Sequence, residues 1–160
     1  VSIHEIAAGK LAALLSRGKA RGLFDCHKLL HTKNVDLERL RLAFVIYGGM
    51  NRRDWRSISI EDIELDRIDF KRQLIPTLRS ESVAREEAGD LGTSLVSECK
   101  DALSSILPFS KNETRFLDRL LDEGKIEPEL ITDDPDLEAK IRMHPWLLWK
   151  AFNVRRYRGL

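Results

Sequence analysis

The chain has 160 residues, 42% of them apolar and 33% charged, with a formal net charge of +1. That length is enough for one domain with a hydrophobic core, and the near-neutral balance excludes bulk electrostatic attraction to nucleic acid or membrane. No signal-peptide pattern is present, no apolar run approaches the roughly 18 residues of a membrane span, and any charge-based function must come from local clusters. Cys26 and Cys99 form neither a metal-ligand spacing nor a disulfide framework. Both read as reduced thiols, and the expected location is the cytoplasm.

Ser2 and Glu5 have capping-box spacing, so a helix is predicted to open at Ile3. Ile3, Ile6, Ala7, Leu11, Leu14 and Leu15 recur at helical spacing, and Gly18 should end the helix. A second helix is predicted over 20–31, with Leu23, Phe24, His27 and Leu30 toward the core. Asp36 can cap a third, containing Leu37, Leu40, Leu42, Ala43, Phe44, Ile46 and Tyr47, which Gly48-Gly49 should stop. Residues 50–62 read as a connection in which Arg52, Arg53 and Arg56 surround Trp55. Ile63 to Leu78 is predicted helical, interrupted at Pro76. A weakly amphipathic helix over 82–107 closes at Pro108, and Ser110 or Asn112 opens another that Gly124 ends. Residues 127–135 read as a turn before a short helix from Pro135 to Met143, broken by His144-Pro145. The last amphipathic segment, WLLWKAFNV, runs into the basic end RRYRGL, with Trp146, Trp149 and Phe152 expected in the core. Ile58, Ile60 and Ile63 alternate too briefly for a strand. The expectation is an all-α domain of about seven helices.

Lys10 is the sharpest single residue. On a helical wheel it falls between Ile3, Ile6 and Leu14, inside the apolar stripe. A buried ammonium needs a partner; alternatively its stem packs while its charge stays wet. Arg21 and Asp25 share a helix face, and Arg17, Lys19 and Arg21 cluster beside Gly18. Such a turn at a helix N-terminus suits a phosphate, because backbone N–H groups and cations converge there. His27 and His31 are spaced i, i+4, which can hold zinc, but no third ligand is evident, so no metal site is assigned. Asp133, Asp134 and Asp136 form an acidic loop in which helix capping is the expected role. Arg155, Arg156 and Arg158 follow aromatic residues and could hold a nucleic-acid backbone, or could form a solvated tail.

The opening EIAAGKLAALLSRGKARGLFD resembles the third motif of the AbiEii/AbiGii toxin family, the nucleotidyltransferase-like toxins of type IV toxin–antitoxin systems. The family pattern is approximately E-x-x-A-x-K followed by R-x-K-x-R-D-x-x-D. DFKRQLIPTL, FLDRLLDEGKIEPELITDDPDLEAKI and HPWLLWKAFNVR are similar to the ending of a family branch, so the resemblance spans nearly the whole chain. It implies Lys10 and Asp25 as catalytic residues and Arg17, Lys19 and Arg21 as nucleotide-phosphate ligands. Gly22 stands where the family's first motif aspartate would be.

The resemblance further implies a nucleotidyltransferase core with a G-S motif and a D-x-D carboxylate pair holding Mg²⁺, and nothing in these residues matches it. The chain, which starts at Val1 directly before a helix, therefore reads as the helical C-terminal part of a larger α/β protein whose N-terminal core is absent. Its expected divisions are 1–32 for the lysine/aspartate motif, 33–107 for central helices and 108–160 for the C-terminal helices and basic tail. The implied activity is nucleotide transfer from an NTP to an RNA or protein acceptor, lost in this chain alone. A cognate antitoxin is an implied partner, and self-association could follow where a missing domain packed. The competing reading is a non-enzymatic helical module that binds a partner protein or RNA.

Overall fold

The computed structural model describes residues 2–17, 20–31, 35–63 and 85–160; the side chains of Arg17, Ala20, Arg21, Phe24 and residues 85–91 are outside that description. Among these residues there are seven α-helices and no strand: α1 (Ile3–Arg17), α2 (Ala20–Leu30), α3 (Leu37–Gly49), α4 (Arg85–Leu103), α5 (Lys111–Glu123), α6 (Pro135–Arg142) and α7 (Pro145–Arg158). Single 3₁₀ turns occur at Trp55–Ser57, Ile60–Asp62 and Pro128–Leu130. The predicted helix over 63–78, with Pro76, falls almost entirely outside the described residues. No helix among them is long and apolar enough to cross a membrane.

Helix starts follow local chemistry. Ser2 and Glu5 exchange the two capping-box hydrogen bonds of α1. Asp36 accepts from the Glu38 and Arg39 N–H groups at the start of α3, and Asp134 accepts from Asp136 and Leu137 at the start of α6. Asp134 thus takes the capping role expected for the acidic loop. Ser110, the first of the two predicted openings, forms a capping box with Glu113, and Gly124 closes α5 at φ 64°, where a side chain would be strained. His144 caps α7 by accepting from the Trp146 N–H.

The helices pack in the order α4, α2, α1, α3, α5, α7, each against the next. Helix α1 is therefore covered on two sides. Its buried residues are Ala7, Ala8, Leu11, Ala12, Leu14 and Leu15, a broad seam rich in alanine. This rotates the expected stripe: Ile6 is 45% exposed, and Lys10 lies with it on the outward face. Small alanines let the neighbouring helices approach, whereas the sequence periodicity gave more weight to the larger Ile3 and Ile6. His4 is buried at the same end, and its Nε2 accepts the Asp36 N–H at 2.9 Å, tying the start of α1 to the start of α3.

Gly48 and Gly49 are the last two residues of α3, which ends there as expected, and they also permit close contacts. Trp55, fully buried, lies on Gly48, and Leu120 of α5 lies on Gly49. The Trp55 ring packs edge-on against Phe44, and its Nε1 has no hydrogen-bond partner among the described residues. The arginines around Trp55 reach in different directions. Arg53 donates to the Leu15 carbonyl and to Asp62, and Arg56 bridges Asp54 to Asp118 and Asp122 of α5. Arg41 joins α3 to α5 through two nitrogens on Glu113 and also donates to the Ser105 and Pro108 carbonyls.

The core placement of Trp146, Trp149 and Phe152 is corrected. They are 64%, 57% and 56% exposed, while Leu147 and Ala151 are the buried face of α7. Leu147 and Ala151 are spaced i, i+4, so they share one face of a helix that packs mainly on α5. The aromatics fall on the other side. Lys150 donates to the Asn51 carbonyl from the edge of that interface, and burial lowers its pKa.

Candidate functional site

Lys10 on α1 and Asp25 on α2 come together. Leu23 and Cys26 of α2 are buried against the same core as the alanine seam of α1, which sets the two helices side by side and brings the Lys10 Nζ to 2.8 Å from Asp25 Oδ2. The Lys10 and Asp25 side chains are 44% and 37% exposed, so the pair is open to solvent along one side. A lysine ammonium has three protons. One is directed at Asp25, and the outward position of the pair leaves the others accessible to an anion. Lys10 thus keeps its stem on the helix and its charge in water, one of the two arrangements expected from the sequence.

Lys19 lies outside the described residues, as do the side chains of Arg17 and Arg21. Gly22 is described. A Cβ added there would meet only Leu14 Cδ1 at 3.8 Å, an ordinary contact, so the α2 backbone has room for a first side-chain carbon where the family pattern has aspartate.

A second cluster lies at the α2–α4 contact. His27 and His31, one turn apart on α2, meet Glu98 of α4. The His27 Nε2 is in very close contact with Glu98 Oε2, the His31 Nδ1 hydrogen-bonds the His27 carbonyl at 2.7 Å, and the two imidazole centroids are 4.3 Å apart. The contact with His27 holds the Glu98 carboxyl below its ordinary pKa. Sequence reading had the histidine pair but not its third member. Glu98 is 71 residues from His27, and no local pattern connects them. Just inside this cluster Cys26 and Cys99 are buried and reduced; the Cys99 thiol donates to the Leu23 carbonyl. Burial pushes Cys26 up to about 12 and Cys99 to about 11, so both thiols stay protonated and unreactive at neutral pH.

Elsewhere, a cleft of about 530 Å³ opens between the starts of α1 and α6 and the face of α3, lined by Glu5, Arg39, Tyr47, Lys140 and His144 among others. Lys10 and Asp25 are not in its lining. At the C-terminal end, Arg155 donates to the Gly124 carbonyl and Arg158 to Asp122, so two of the three tail arginines brace α7 against α5; Arg156 is exposed.

A family model described as nucleotidyl transferase AbiEii toxin, type IV TA system, matches residues 1–112. The match takes in Lys10, Asp25, the basic run, His27, His31 and Glu98, and it ends at the first turn of α5. The closing segments from FLDRLL onward lie beyond it. No curated protein and no solved structure matches the chain.

Proposed function

Since the chain belongs to the nucleotidyl transferase AbiEii toxin family of type IV toxin–antitoxin systems, we propose that it supplies the phosphate-binding half of a nucleotidyltransferase site. The observation that carries this reading is the ion pair of Lys10 and Asp25 at 2.8 Å on an open face. Lys10 would donate to a phosphate oxygen of an NTP, and Asp25 would hold the ammonium in place, with Arg17, Lys19 and Arg21 adding positive charge from the adjoining turn. An isolated surface pair contributes little to stability, about 0–1 kcal/mol. A solvent-facing ammonium that adds little to stability, beside the exposed Ile6, accords with a role in binding.

The described residues do not make a Mg²⁺ site near Lys10. Asp25 is one carboxylate, already engaged by an ammonium, whereas Mg²⁺ prefers carboxylate and water oxygens in an octahedral shell. On this reading the carboxylates for nucleotide transfer come from outside the described residues, and the chain alone would be inactive. The acceptor would be an RNA or a protein. Type IV membership also implies a cognate antitoxin.

The test is growth inhibition by the complete toxin. Lys10→Ala and Asp25→Ala should each abolish it, while the melting temperature of this chain shifts by no more than a few degrees, as an exposed pair requires. Full toxicity of both variants would remove the pair from the mechanism.

One observation favours a second reading. Trp146, Trp149 and Phe152 stand exposed on α7 beside the basic tail, an arrangement that supports binding of a partner protein or RNA without catalysis. RNA retention by this chain that disappears when Arg155, Arg156 and Arg158 are all changed to alanine would favour that reading.

A further inference from the structure

We propose that His27, His31 and Glu98 form a binding site for a zinc-class divalent ion that links α2 to α4. Each of the three offers one ligand atom, and these atoms all lie within 4.8 Å of one another. Metal–nitrogen and metal–oxygen bonds of about 2.0–2.2 Å in a tetrahedral shell put ligand atoms about 3.3–3.5 Å apart. Glu98 is half-exposed, so its carboxylate can turn by the small distance needed to let an ion stand between it and His27.

The histidines are prepared for this. A carbonyl oxygen only accepts, so the His31 Nδ1 that bonds to the His27 carbonyl must carry the proton. That fixes the tautomer with the lone pair on His31 Nε2. An imidazole oriented through one nitrogen to a backbone carbonyl, with the other presented as a ligand, is the usual outer-shell arrangement of a metal-binding histidine.

The donor set decides the ion. Two imidazole nitrogens and one carboxylate suit Zn²⁺ and the neighbouring late first-row ions, while Mg²⁺ and Ca²⁺ call for oxygen. Three protein ligands leave the fourth position to water, and half-exposed Glu98 keeps that position reachable. The site does not depend on the nucleotidyltransferase reading. Its bearing on that reading is geometric: Asp25 is two residues before His27, so an ion that clamps α2 onto α4 also fixes the helix that carries Asp25.

The test uses the whole chain with metal alone. Isothermal titration with ZnCl₂ should show one equivalent per chain, with a rise in melting temperature that EDTA reverses; MgCl₂ should produce neither. Exposed His31 can be changed without opening the core, and His31→Ala and Glu98→Gln should each weaken Zn²⁺ binding at least tenfold. Should a variant fold poorly, the visible absorption of the Co²⁺-loaded wild-type chain reads the geometry directly, and a four-coordinate spectrum is expected. Absence of Zn²⁺ binding in the wild type, equal affinity in wild type and His31→Ala, or an octahedral Co²⁺ spectrum would each overturn the proposal.

Discussion

Replacing Gly48 with alanine should damage this fold more than the same change at Gly9, Gly22 or Gly49. A Cβ at position 48 would lie 1.7 Å from Trp55 Nε1, 1.9 Å from Cδ1 and 2.2 Å from Cε2, where ordinary carbon contacts need about 3.5–4.0 Å. The indole must therefore shift by roughly 2 Å. It is fully buried and packed against Phe44, so it has no vacant direction. Overpacking costs about 1–3 kcal/mol if the ring stays, and losing the buried ring altogether costs about 3–5 kcal/mol. Alanine returns about 1 kcal/mol of helix propensity. A displacement of roughly 2 Å gives up the ring's packing, so the second case applies and the net loss should be about 2–4 kcal/mol, or roughly 5–15 °C in melting temperature for a chain of this size. Gly9→Ala is the matched control. It lies in α1 with nothing within 4 Å of the added carbon, and it should raise stability by about 0.5–1 kcal/mol. Urea unfolding followed by circular dichroism measures both. A Gly48→Ala chain within 0.5 kcal/mol of the wild type, at unchanged m-value, would refute the close approach of Trp55 to α3.

Glu113 predicts an acid dependence. Burial raises its pKa, but Arg41 and the Ser110 N–H outweigh burial and hold it below the ordinary value of 4.5. A depressed folded pKa contributes stability that is complete above the unfolded value and lost as pH falls through the folded one. The urea midpoint of the wild type should thus fall more steeply below about pH 4.5 than that of Glu113→Gln, and parallel profiles would contradict the pairing with Arg41. Two of the three tryptophans, Trp146 and Trp149, should be readily quenched by acrylamide while Trp55 is shielded; Trp146→Ala should change stability by less than about 0.5 kcal/mol. Gly22→Asp should fold at least as stably as the wild type, since its first carbon fits and an acid near the start of α2 suits the helix dipole. A melting temperature several degrees lower would show that the position is closed to aspartate.

What could be read from the sequence was what depends on neighbouring residues. Ser2, Asp36, Ser110 and Asp134 were legible as caps because the acceptor and the N–H groups it satisfies lie within three residues. Lys10 and Asp25 were legible as motif members, yet their contact at 2.8 Å depends on the packing of α1 against α2. Gly48-Gly49 was legible as the end of α3 because glycine disfavours helix, but its packing role was not. The reason for glycine there is Trp55 and Leu120, which arrive from later in the chain. The tryptophans of α7 looked like core because they are large and apolar, but a helix buries only the face its neighbour covers, and that face carries Leu147 and Ala151. Glu98 gave no signal, since nothing in its surroundings names His27 as its partner.

The alanine seam of α1 has a consequence for how the Lys10 face binds. Ala7, Ala8 and Ala12 have no side-chain rotamers to lose, so the helix is held at little entropic cost and its backbone is close to rigid in the core. Lysine carries about 2 kcal/mol of rotamer entropy, and at this face the conformational freedom is concentrated in Lys10. The contact with Asp25 already narrows it before any ligand arrives. An anion meeting Lys10 therefore encounters an ammonium that is partly ordered on a rigid support, and Asp25→Ala should weaken its binding by restoring disorder to the lysine, even though the change removes a negative charge from the face.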